Sequence, residues 1–387
     1  MDTSWPHLPI RRKPTLQLDA DDTPMGMNMN VVLTGKETVV LEDRPIPEIG
    51  PNDVLVKVMS TGICGTDLTY YLKGGVGSRV IHKPLVLGHE SSGIVYKCGK
   101  NVTDVLPGDR VAMEPALPCR TCRFCRAGQF NYCARDKYFA TPPTDGSLCQ
   151  WYALPSVNAV KIPNNLSWEE AGCIQPLAIA VQIARRAGSL THKSVAVFGC
   201  GPLGLLCMAV AKACGASKVI AFDIDQGRID FAKKYAATDG FVSPRRPQNL
   251  ETTIMEWNDK VSHDMLVELG VDGGLDVVLE CSGAEPALQL GISLLRPGGT
   301  FVAAGMGAPM TSFPTLEMAA KELDIRGSLR YTTGCFEDGI DLLERGLVNL
   351  KPLISKTYPL SKTEDAFKAR KVAQGTSEIK IVIMNQE

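Results

Sequence analysis

The sequence predicts an α/β protein with two domains, one β-rich and one built on a doubly wound parallel sheet. The chain has 387 residues, of which 44% are hydrophobic and 21% charged, enough for two domains with buried cores. Short strand-like runs broken by Gly, Pro and Asp turns fill roughly residues 30–160. From about Trp168 onward, strand-like runs alternate with helical ones, the pattern of a parallel sheet. A last β run, "EIKIVIMNQE", predicts a return to the first domain.

We expect the chain to divide into an arm and two domains. Residues 1–28 are rich in acids and prolines and predict a loosely ordered arm. The β-rich domain combines residues 29–177 with 329–387, and the parallel-sheet domain covers 178–328.

Composition argues against several classes of function. A net charge of −1 does not suit a protein that binds nucleic acid or an anionic membrane. The longest apolar runs are about half the length of a membrane span. Thirteen cysteines without a secretory signal favour metal ligands and buried thiols over disulfides, so we expect a reducing compartment, the cytoplasm.

A glycine turn at the start of the parallel-sheet region predicts a dinucleotide site. The segment "GCGPLG" follows an apolar β run and opens an apolar helix, and its glycines allow a tight turn and close approach of a pyrophosphate. Asp223 ends the next strand, where an acid binds the ribose hydroxyls and repels a 2′-phosphate, so we predict NAD rather than NADP. The predicted cofactor residues here are Gly199, Gly201, Pro202, Leu203, Gly204, Asp223, Ile224 and Arg228.

Four cysteines in "CRTCRFCRAGQFNYC" predict a zinc that does no chemistry. They are Cys119, Cys122, Cys125 and Cys133. Four thiolates leave no open coordination position and make the ion a poor Lewis acid, so we expect a structural zinc in a lobe over about residues 114–140. The alternatives are four unrelated thiols, or a nucleic-acid zinc knuckle flanked by Arg120, Arg123 and Arg126. The knuckle is disfavoured because the sequence has no matching second module.

Two shorter motifs contain the residues that we expect to do chemistry. "TGICGTD" contains Cys64, and "LGHESSG" contains His89 and Glu90. A zinc held by one thiolate, one imidazole and one carboxylate keeps a position for water or an alcohol oxygen. Each motif alone is weak, since a lone histidine is usually structural. Together with the cysteine cluster and the NAD motif, they predict a second zinc, this one catalytic.

In their order and spacing, these segments resemble the zinc-dependent medium-chain dehydrogenase/reductase superfamily over nearly the whole chain after the arm. Within it, "GSLRYTTGCFEDGIDLLERGLVNLKPLISKTYPL" is similar to the polyol dehydrogenase branch. The resemblance implies a GroES-like catalytic domain, a Rossmann NAD-binding domain and a homo-oligomer, either dimer or tetramer.

The resemblance also implies residue roles. It makes Cys64, His89 and Glu90 the ligands of the catalytic zinc, and it places the Thr66 hydroxyl at the reacting oxygen, with Asp67 supporting the ligand shell. Tyr70, Arg330 and Tyr331 are implied to lie beside the substrate, with Arg330 also at the nicotinamide. The other implied nicotinamide contacts are Cys281, Ser282, Gly283, Ala304, Gly305 and Met306.

Two positions depart from the polyol pattern. Gln175 stands where that branch normally has a glutamate close to the zinc, and an amide is neutral and a weaker ligand. The substitution would raise the effective charge on the metal, but it would also remove glutamate-assisted exchange of bound water. Thr69 stands where many relatives have a histidine in the proton route, and a threonine cannot hold a proton at neutral pH.

We therefore expect an NAD-linked zinc dehydrogenase that interconverts a secondary alcohol and a ketone. Its substrate is a small molecule, either a polyol or a larger alcohol of specialised metabolism. Two further alternatives are a zinc Lewis-acid enzyme with a non-redox reaction and a non-catalytic NAD-binding protein. The intact set of Cys64, His89 and Glu90 argues against the last of these.

Overall fold

The computed structural model describes residues 26–386 except 78, 248, 250–251 and 373–377. Most of the predicted arm lies outside the described residues. The first strand begins at Met27, inside the predicted bounds of the arm. Within the described residues, no helix is long and apolar enough to cross a membrane.

The first part of the chain is mainly β-structure with short helices. Its strands are β1 (Met27–Gly35), β2 (Thr38–Pro45), β3 (Asp53–Gly62), β4 (Gly75–Val76), β5 (Arg79–Val80), β6 (Leu85–Val86), β7 (Glu90–Cys98), β8 (Arg110–Met113), β9 (Ala116–Leu117), β10 (Lys137–Tyr138), β11 (Trp151–Pro155) and β12 (Ala159–Lys161). Its helices are α1 (Gly65–Lys73), α2 (Arg123–Arg126) and α3 (Trp168–Ala171).

The second part alternates strands and helices. Its helices are α4 (Ile174–Ala187), α5 (Pro202–Ala213), α6 (Gln226–Tyr235), α7 (Ile254–Leu269), α8 (Glu285–Leu294) and α9 (Thr315–Ala320). Its strands are β13 (Ser194–Phe198), β14 (Lys218–Asp223), β15 (Asp239–Val242), β16 (Leu275–Glu280), β17 (Leu295–Ala303) and β18 (Asp324–Gly327). The chain then forms α10 (Cys335–Glu344), β19 (Ile354–Pro359), α11 (Thr363–Val372) and β20 (Lys380–Met384).

The β-rich part is held together by β3, which pairs with β7, β11 and β20. The main sheet has the order β12-β8-β7-β3-β20-β19, with β11 paired to β3 off this path. A smaller sheet has the order β2-β1-β6. The antiparallel pair of β20 with β3 aligns Val382 with Gly62, so the predicted return of the chain to the first domain is observed.

The parallel sheet has the order β15-β14-β13-β16-β17-β18. All its neighbouring strands are parallel, and strands such as β13 are buried along their whole length, as expected for a sheet covered on both faces. The strand order reverses between β13 and β16, and ligands of such sheets bind at the carboxyl ends of strands at this point.

Helix α4 lies between the two sheets. The core cluster that contains Leu177 and Ala178 of this helix also contains Ala112 of β8 and Val195 of β13. The predicted domain boundary at residue 177 therefore falls inside a helix that packs against both parts, and the division into domains stays a prediction.

Candidate active site and metal centres

Cys64 is placed by the start of helix α1. It is the N-cap residue in an extended conformation, and its sulfur accepts a hydrogen bond from the Thr66 amide at 3.5 Å. In return, the Asp67 carboxylate accepts a hydrogen bond from the Cys64 amide at 3.2 Å, which completes a capping box. The turn thus fixes the side chain of Cys64 at the N-terminus of the helix.

Asp67 also fixes His89. Its carboxylate accepts a hydrogen bond from the Gly88 amide at 3.1 Å and lies 3.3 Å from Nδ1 of His89. Burial alone lowers the pKa of His89, but the Asp67 carboxylate and Cys64 raise it well above its ordinary value. The carboxylate at Nδ1 favours the neutral tautomer with its proton on that nitrogen, which leaves Nε2 as the atom that could bind a metal, as in carboxylate–histidine–zinc arrangements.

Glu90 is the first residue of β7 and forms a buried ion pair with Lys380 of β20. Lys380 Nζ also donates to the Ile63 carbonyl at 3.1 Å. Burial lowers the pKa of Lys380, but the Glu90 carboxylate outweighs it and the pKa lies above its usual value. A Cβ on Gly62 would lie 2.6 Å from Oε2 of Glu90, so this pair requires glycine on the neighbouring strand.

The ligand atoms of Cys64, His89 and Glu90 all lie within 4.8 Å of one another. A thiolate, an imidazole with its Nδ1 already bonded, and a carboxylate form a donor set that fits zinc with a position left for a small oxygen ligand.

The four-cysteine cluster lies in a lobe closed by the pairing of β9 with β10. Its sulfurs lie within 4.8 Å of one another, with 3.5 Å between Cys122 and Cys125 and 3.9 Å between Cys119 and Cys125. Thiolates about 2.3 Å from a tetrahedral zinc are about 3.8 Å apart, so the cluster fits that ion. Arg135 donates to the Cys119 sulfur at 3.2 Å.

Tyr138 connects the predicted substrate residue Arg330 to the three-ligand cluster. The guanidinium carbon of Arg330 lies 3.8 Å from the centre of the Tyr138 ring, and that ring is 5.8 Å from the His89 ring. Arg330 therefore lies one aromatic ring away from His89. The other predicted substrate residues, Tyr70 and Tyr331, are buried.

Gln175 is buried on α4, and its amide nitrogen donates to the Tyr138 hydroxyl at 2.8 Å. Its Oε1, like the hydroxyl of Tyr331, is buried and has no hydrogen-bond partner among the described residues. A buried polar atom normally has a partner, so these two atoms are suited to a polar ligand. Thr69, by contrast, donates its hydroxyl to the Gly65 carbonyl of its own helix at 2.8 Å.

The predicted NAD loop has the geometry that its glycines require. Gly199 has φ +93°, and a Cβ on Gly204 would lie 1.7 Å from the Gly199 carbonyl oxygen. A Cβ on Gly201, the N-cap of α5, would meet nothing within 4 Å, so this glycine faces open space at the helix N-terminus. Pro202 and Leu203 form the first turn of that helix.

Asp223 is fixed at the end of β14 by backbone donors. Its carboxylate accepts hydrogen bonds from Cys200 at 2.7 Å, Ile224 at 2.8 Å and Asp225 at 3.2 Å. Arg228, in the following helix, lines a cavity together with Gly201 and Pro202. The Asp223 carboxylate is therefore bonded to the glycine turn at Cys200, a residue that also lines this cavity.

The other predicted nicotinamide segments meet at the ends of β16 and β17. Glu280 accepts hydrogen bonds from the amides of Ser282 at 2.7 Å and Gly283 at 2.9 Å, and its carbonyl accepts from Ala304 at 2.9 Å. A Cβ on Gly305 would lie 2.1 Å from the Gly283 nitrogen, so the two segments pack backbone to backbone. Cys281 is partly buried here, and Met306 is exposed.

Sequence reasoning missed four residues of these sites. Lys380 binds Glu90, Glu280 organises the nicotinamide segments, Tyr138 lies under Arg330, and Arg370 of α11 lines the same cavity as Arg228. All but Glu280 reach their partners across long stretches of chain. Glu280 could have been found, because it is an acid directly after the apolar strand "LDVVL".

Comparison with protein families agrees with this geometry. The family description "Alcohol dehydrogenase GroES-like domain" matches residues 50–164, and "Zinc-binding dehydrogenase" matches residues 202–345. The two matches together cover more than half of the chain. The chain belongs to the zinc-dependent medium-chain dehydrogenase/reductase family.

Individual members of this family are similar to nearly the whole chain. A probable D-xylulose reductase A of Aspergillus clavatus is 47% identical over 357 residues, which is 92% of this chain and 97% of the relative. The D-xylulose reductase A of Aspergillus niger is 46% identical over 351 residues, 90% of this chain and 95% of the relative. The crystal structure of L-idonate 5-dehydrogenase from Escherichia coli has a TM-score of 0.81 and 29% identity, covering 92% of this chain and 98% of that one.

These relatives place the chain in the polyol dehydrogenase branch of the family. The predicted fold class, the resemblance, the zinc-dependent polyol dehydrogenase activity and the cofactors zinc and NAD are confirmed. The roles of single residues stay predictions, and the geometry above supports them.

Proposed function

We propose that this dehydrogenase reduces D-xylulose to the corresponding pentitol with NADH and catalyses the reverse oxidation with NAD. The observation that carries the proposal is the set of Cys64, His89 and Glu90, which lies next to a buried, polar and partly unpartnered group of side chains. Relatives that are 46–47% identical are named for D-xylulose, which makes this ketose the first substrate to test.

Cys64, His89 and Glu90 would hold the catalytic zinc. The ion supplies a Lewis acid that lowers the pKa of an alcohol hydroxyl or polarises a ketone, and NAD supplies the hydride chemistry. Asp67 would keep the proton of His89 on Nδ1, and Lys380 forms an ion pair with the buried carboxylate of Glu90. Two of the three predicted ligands are thus each held by a second charged group.

Thr66 would pass the hydroxyl proton between the substrate and solvent. Thr69 cannot extend this route as an acid or a base, because threonine does not ionise near neutral pH and its hydroxyl is bonded to the Gly65 carbonyl. Proton transfer beyond Thr66 then runs through water or the ribose hydroxyls of the cofactor.

Gln175, Tyr331 and Arg330 would bind the other hydroxyl groups of the polyol. Oε1 of Gln175 can accept a hydrogen bond, and the Tyr331 hydroxyl can donate or accept one. Because Gln175 is neutral, the site has one negative charge fewer than it would have with a glutamate there.

NAD would lie across the carboxyl ends of the parallel strands. The pyrophosphate would meet the N-terminus of α5 at Gly201, with the guanidinium groups of Arg228 and Arg370 lining the same cavity. Asp223 would accept from the adenosine ribose and repel a 2′-phosphate. The catalytic domain would then comprise 29–177 and 329–387, and the NAD-binding domain 178–328.

A homo-oligomer in the cytoplasm completes the proposal. Strand β18 is an edge strand of the parallel sheet, and Ile325 on it is exposed. Met310, Leu316 and Leu329, which flank this strand in the sequence, are also exposed large apolar side chains. An edge strand with apolar neighbours is suited to pairing with a second copy of the chain.

The test is NADH consumption with D-xylulose, compared with other ketoses and with a panel of larger ketones. The expected result is turnover that is highest with D-xylulose, that requires NADH rather than NADPH, and that is lost in Cys64→Ser. If only larger ketones were turned over, D-xylulose would not be the substrate and a larger ketone would take its place. Substrate conversion without a change in NADH would show a non-redox zinc enzyme, and tight NAD binding without any turnover would show a non-catalytic protein.

A further inference from the structure

The end of the four-cysteine lobe reaches the substrate side of the active site through Asp136. The Asp136 amide donates to the Cys133 carbonyl at 3.1 Å, which ties it to the cysteine cluster. Its carboxylate accepts a hydrogen bond from Nη1 of Arg330 at 2.5 Å. The side chains are 7% and 21% exposed, so water screens this ion pair only weakly.

Arg330 is held on a second side by Tyr138, which lies in β10 two residues after Asp136. The guanidinium carbon lies 3.8 Å from the ring centre, a cation–π distance. The Tyr138 hydroxyl accepts from Gln175 at 2.8 Å, and its ring is 5.8 Å from that of His89. The guanidinium group therefore lies between a lobe carboxylate and a ring that contacts the catalytic site.

The backbone around Arg330 is also held by the lobe. Arg330 has φ +52°, a left-handed conformation that a non-glycine residue adopts at a cost. On one side the Asn131 side chain donates to the Leu329 carbonyl at 3.2 Å. On the other side the Thr333 amide donates to the Gly128 carbonyl at 3.1 Å. The lobe thus binds the segment both before and after the strained residue.

We propose that Asp136 is a positioning residue, which holds Arg330 over Tyr138 so that the four-cysteine lobe sets the geometry of the substrate pocket. The inference rests on the proposed function, in which Arg330 contacts the polyol. Asp136 acts on the substrate through Arg330 alone. The lobe then has a function in substrate recognition in addition to stabilising its own fold.

The first test is steady-state kinetics of Asp136→Asn with D-xylulose and NADH. We expect KM for D-xylulose to rise about tenfold, as for the loss of one charged hydrogen bond, with a smaller change in kcat. The zinc content of the chain should stay as in the wild type. Asp136→Glu, which restores the charge, should recover part of the lost affinity. The matched control is Asp341→Asn, which removes an exposed ion pair with Arg345 and should change nothing.

A double-mutant cycle separates positioning from a general structural role. In an Arg330→Gln background, Asp136→Asn should have no further effect on KM, because its partner is already gone. Equal effects of Asp136→Asn in both backgrounds would overturn the proposal. The proposal would also be overturned if Asp136→Asn lost zinc, or if its KM for D-xylulose were unchanged.

Hydrogen exchange gives a readout that does not depend on turnover. The Thr333 amide should exchange faster in Asp136→Asn than in the wild type or in Asp341→Asn, since the segment loses one of its attachments to the lobe. Unchanged exchange would contradict the positioning role. If the wild type reduced no polyol-type ketose, the proposed function would fail, while the exchange result would still decide whether Asp136 holds this segment.

Discussion

The two candidate metal centres of this protein are built in opposite ways. The four-cysteine cluster takes all its predicted ligands from one short segment, and backbone amides and Arg135 contact its sulfurs. The three-residue centre takes its predicted ligands from two separate motifs, and each of them depends on a further group: the helix N-terminus for Cys64, Asp67 for His89 and Lys380 for Glu90. A closed site can be local, whereas a site that keeps an open position needs support from the rest of the fold.

The largest effects are expected when one thiol is removed from each centre, which tests whether the two centres have different roles. Cys64→Ser should lower kcat/KM by at least about a thousandfold, because the Lewis acid loses its thiolate ligand, with a small change in thermal midpoint. Cys122→Ser should instead lower the thermal midpoint and the zinc content. The measurements are turnover, zinc per chain and thermal unfolding of both variants. If Cys122→Ser left stability and zinc content unchanged, the structural role of the lobe would be wrong.

Lys380→Met tests the long-range support of the catalytic centre. It leaves the Glu90 carboxylate buried without its cation, and the loss of one partner of a buried pair costs about 3–5 kcal/mol in the free energy of unfolding. Urea unfolding of the metal-free protein measures this cost. Lys368→Met is the control, since it removes an exposed pair with Glu364 and should not move the transition. A similar shift of the urea transition in both variants would mean that leaving the Glu90 carboxylate buried without its cation costs little free energy.

Asp67→Asn is expected to have a smaller effect on the same centre. The amide keeps the shape of the side chain but loses the charge that holds the proton on Nδ1 of His89. Such a change beside a metal ligand typically costs about 10–100-fold in metal affinity or activity. Zinc competition with a chelator and kcat/KM should both show it, and wild-type zinc affinity in Asp67→Asn would argue that the capping role of Asp67 is its main one.

Glu114, between the main sheet and the lobe, predicts a modest pH dependence of stability. Burial raises its pKa from 4.5 to about 8, with Glu337 adding to the rise. The folded protein therefore binds a proton that the unfolded chain has lost, so the free energy of unfolding falls as pH rises from about 4.5 to 8. Compared with Glu114→Gln, the wild type should lose at least about 1 kcal/mol more stability between pH 5 and 8. If the free energies of unfolding of the wild type and Glu114→Gln changed with pH in the same way, the raised pKa of Glu114 would be contradicted.

Sequence alone could predict which residues come together wherever a site is local. The glycines at 199, 201 and 204 and the four cysteines could be named as sets because each set lies within one turn or one loop, and their roles stay predictions. Lys380 and Asp136 could not be predicted, since their partners lie 290 and 194 residues away and meet them only through strand pairing and lobe docking. Gln175 was found through its departure from the family pattern, but its bond to Tyr138 needed the structure.

The distance along the chain between Glu90 and Lys380 has a consequence for synthesis. At translation rates of about 5–20 residues per second, the ribosome needs roughly 15–60 s to make the 290 residues that separate them. During that time the whole parallel sheet emerges, while Glu90 has no cation from β20. The four cysteines are complete as soon as Cys133 has left the ribosome. We therefore expect newborn chains to acquire the lobe zinc first and the catalytic zinc last.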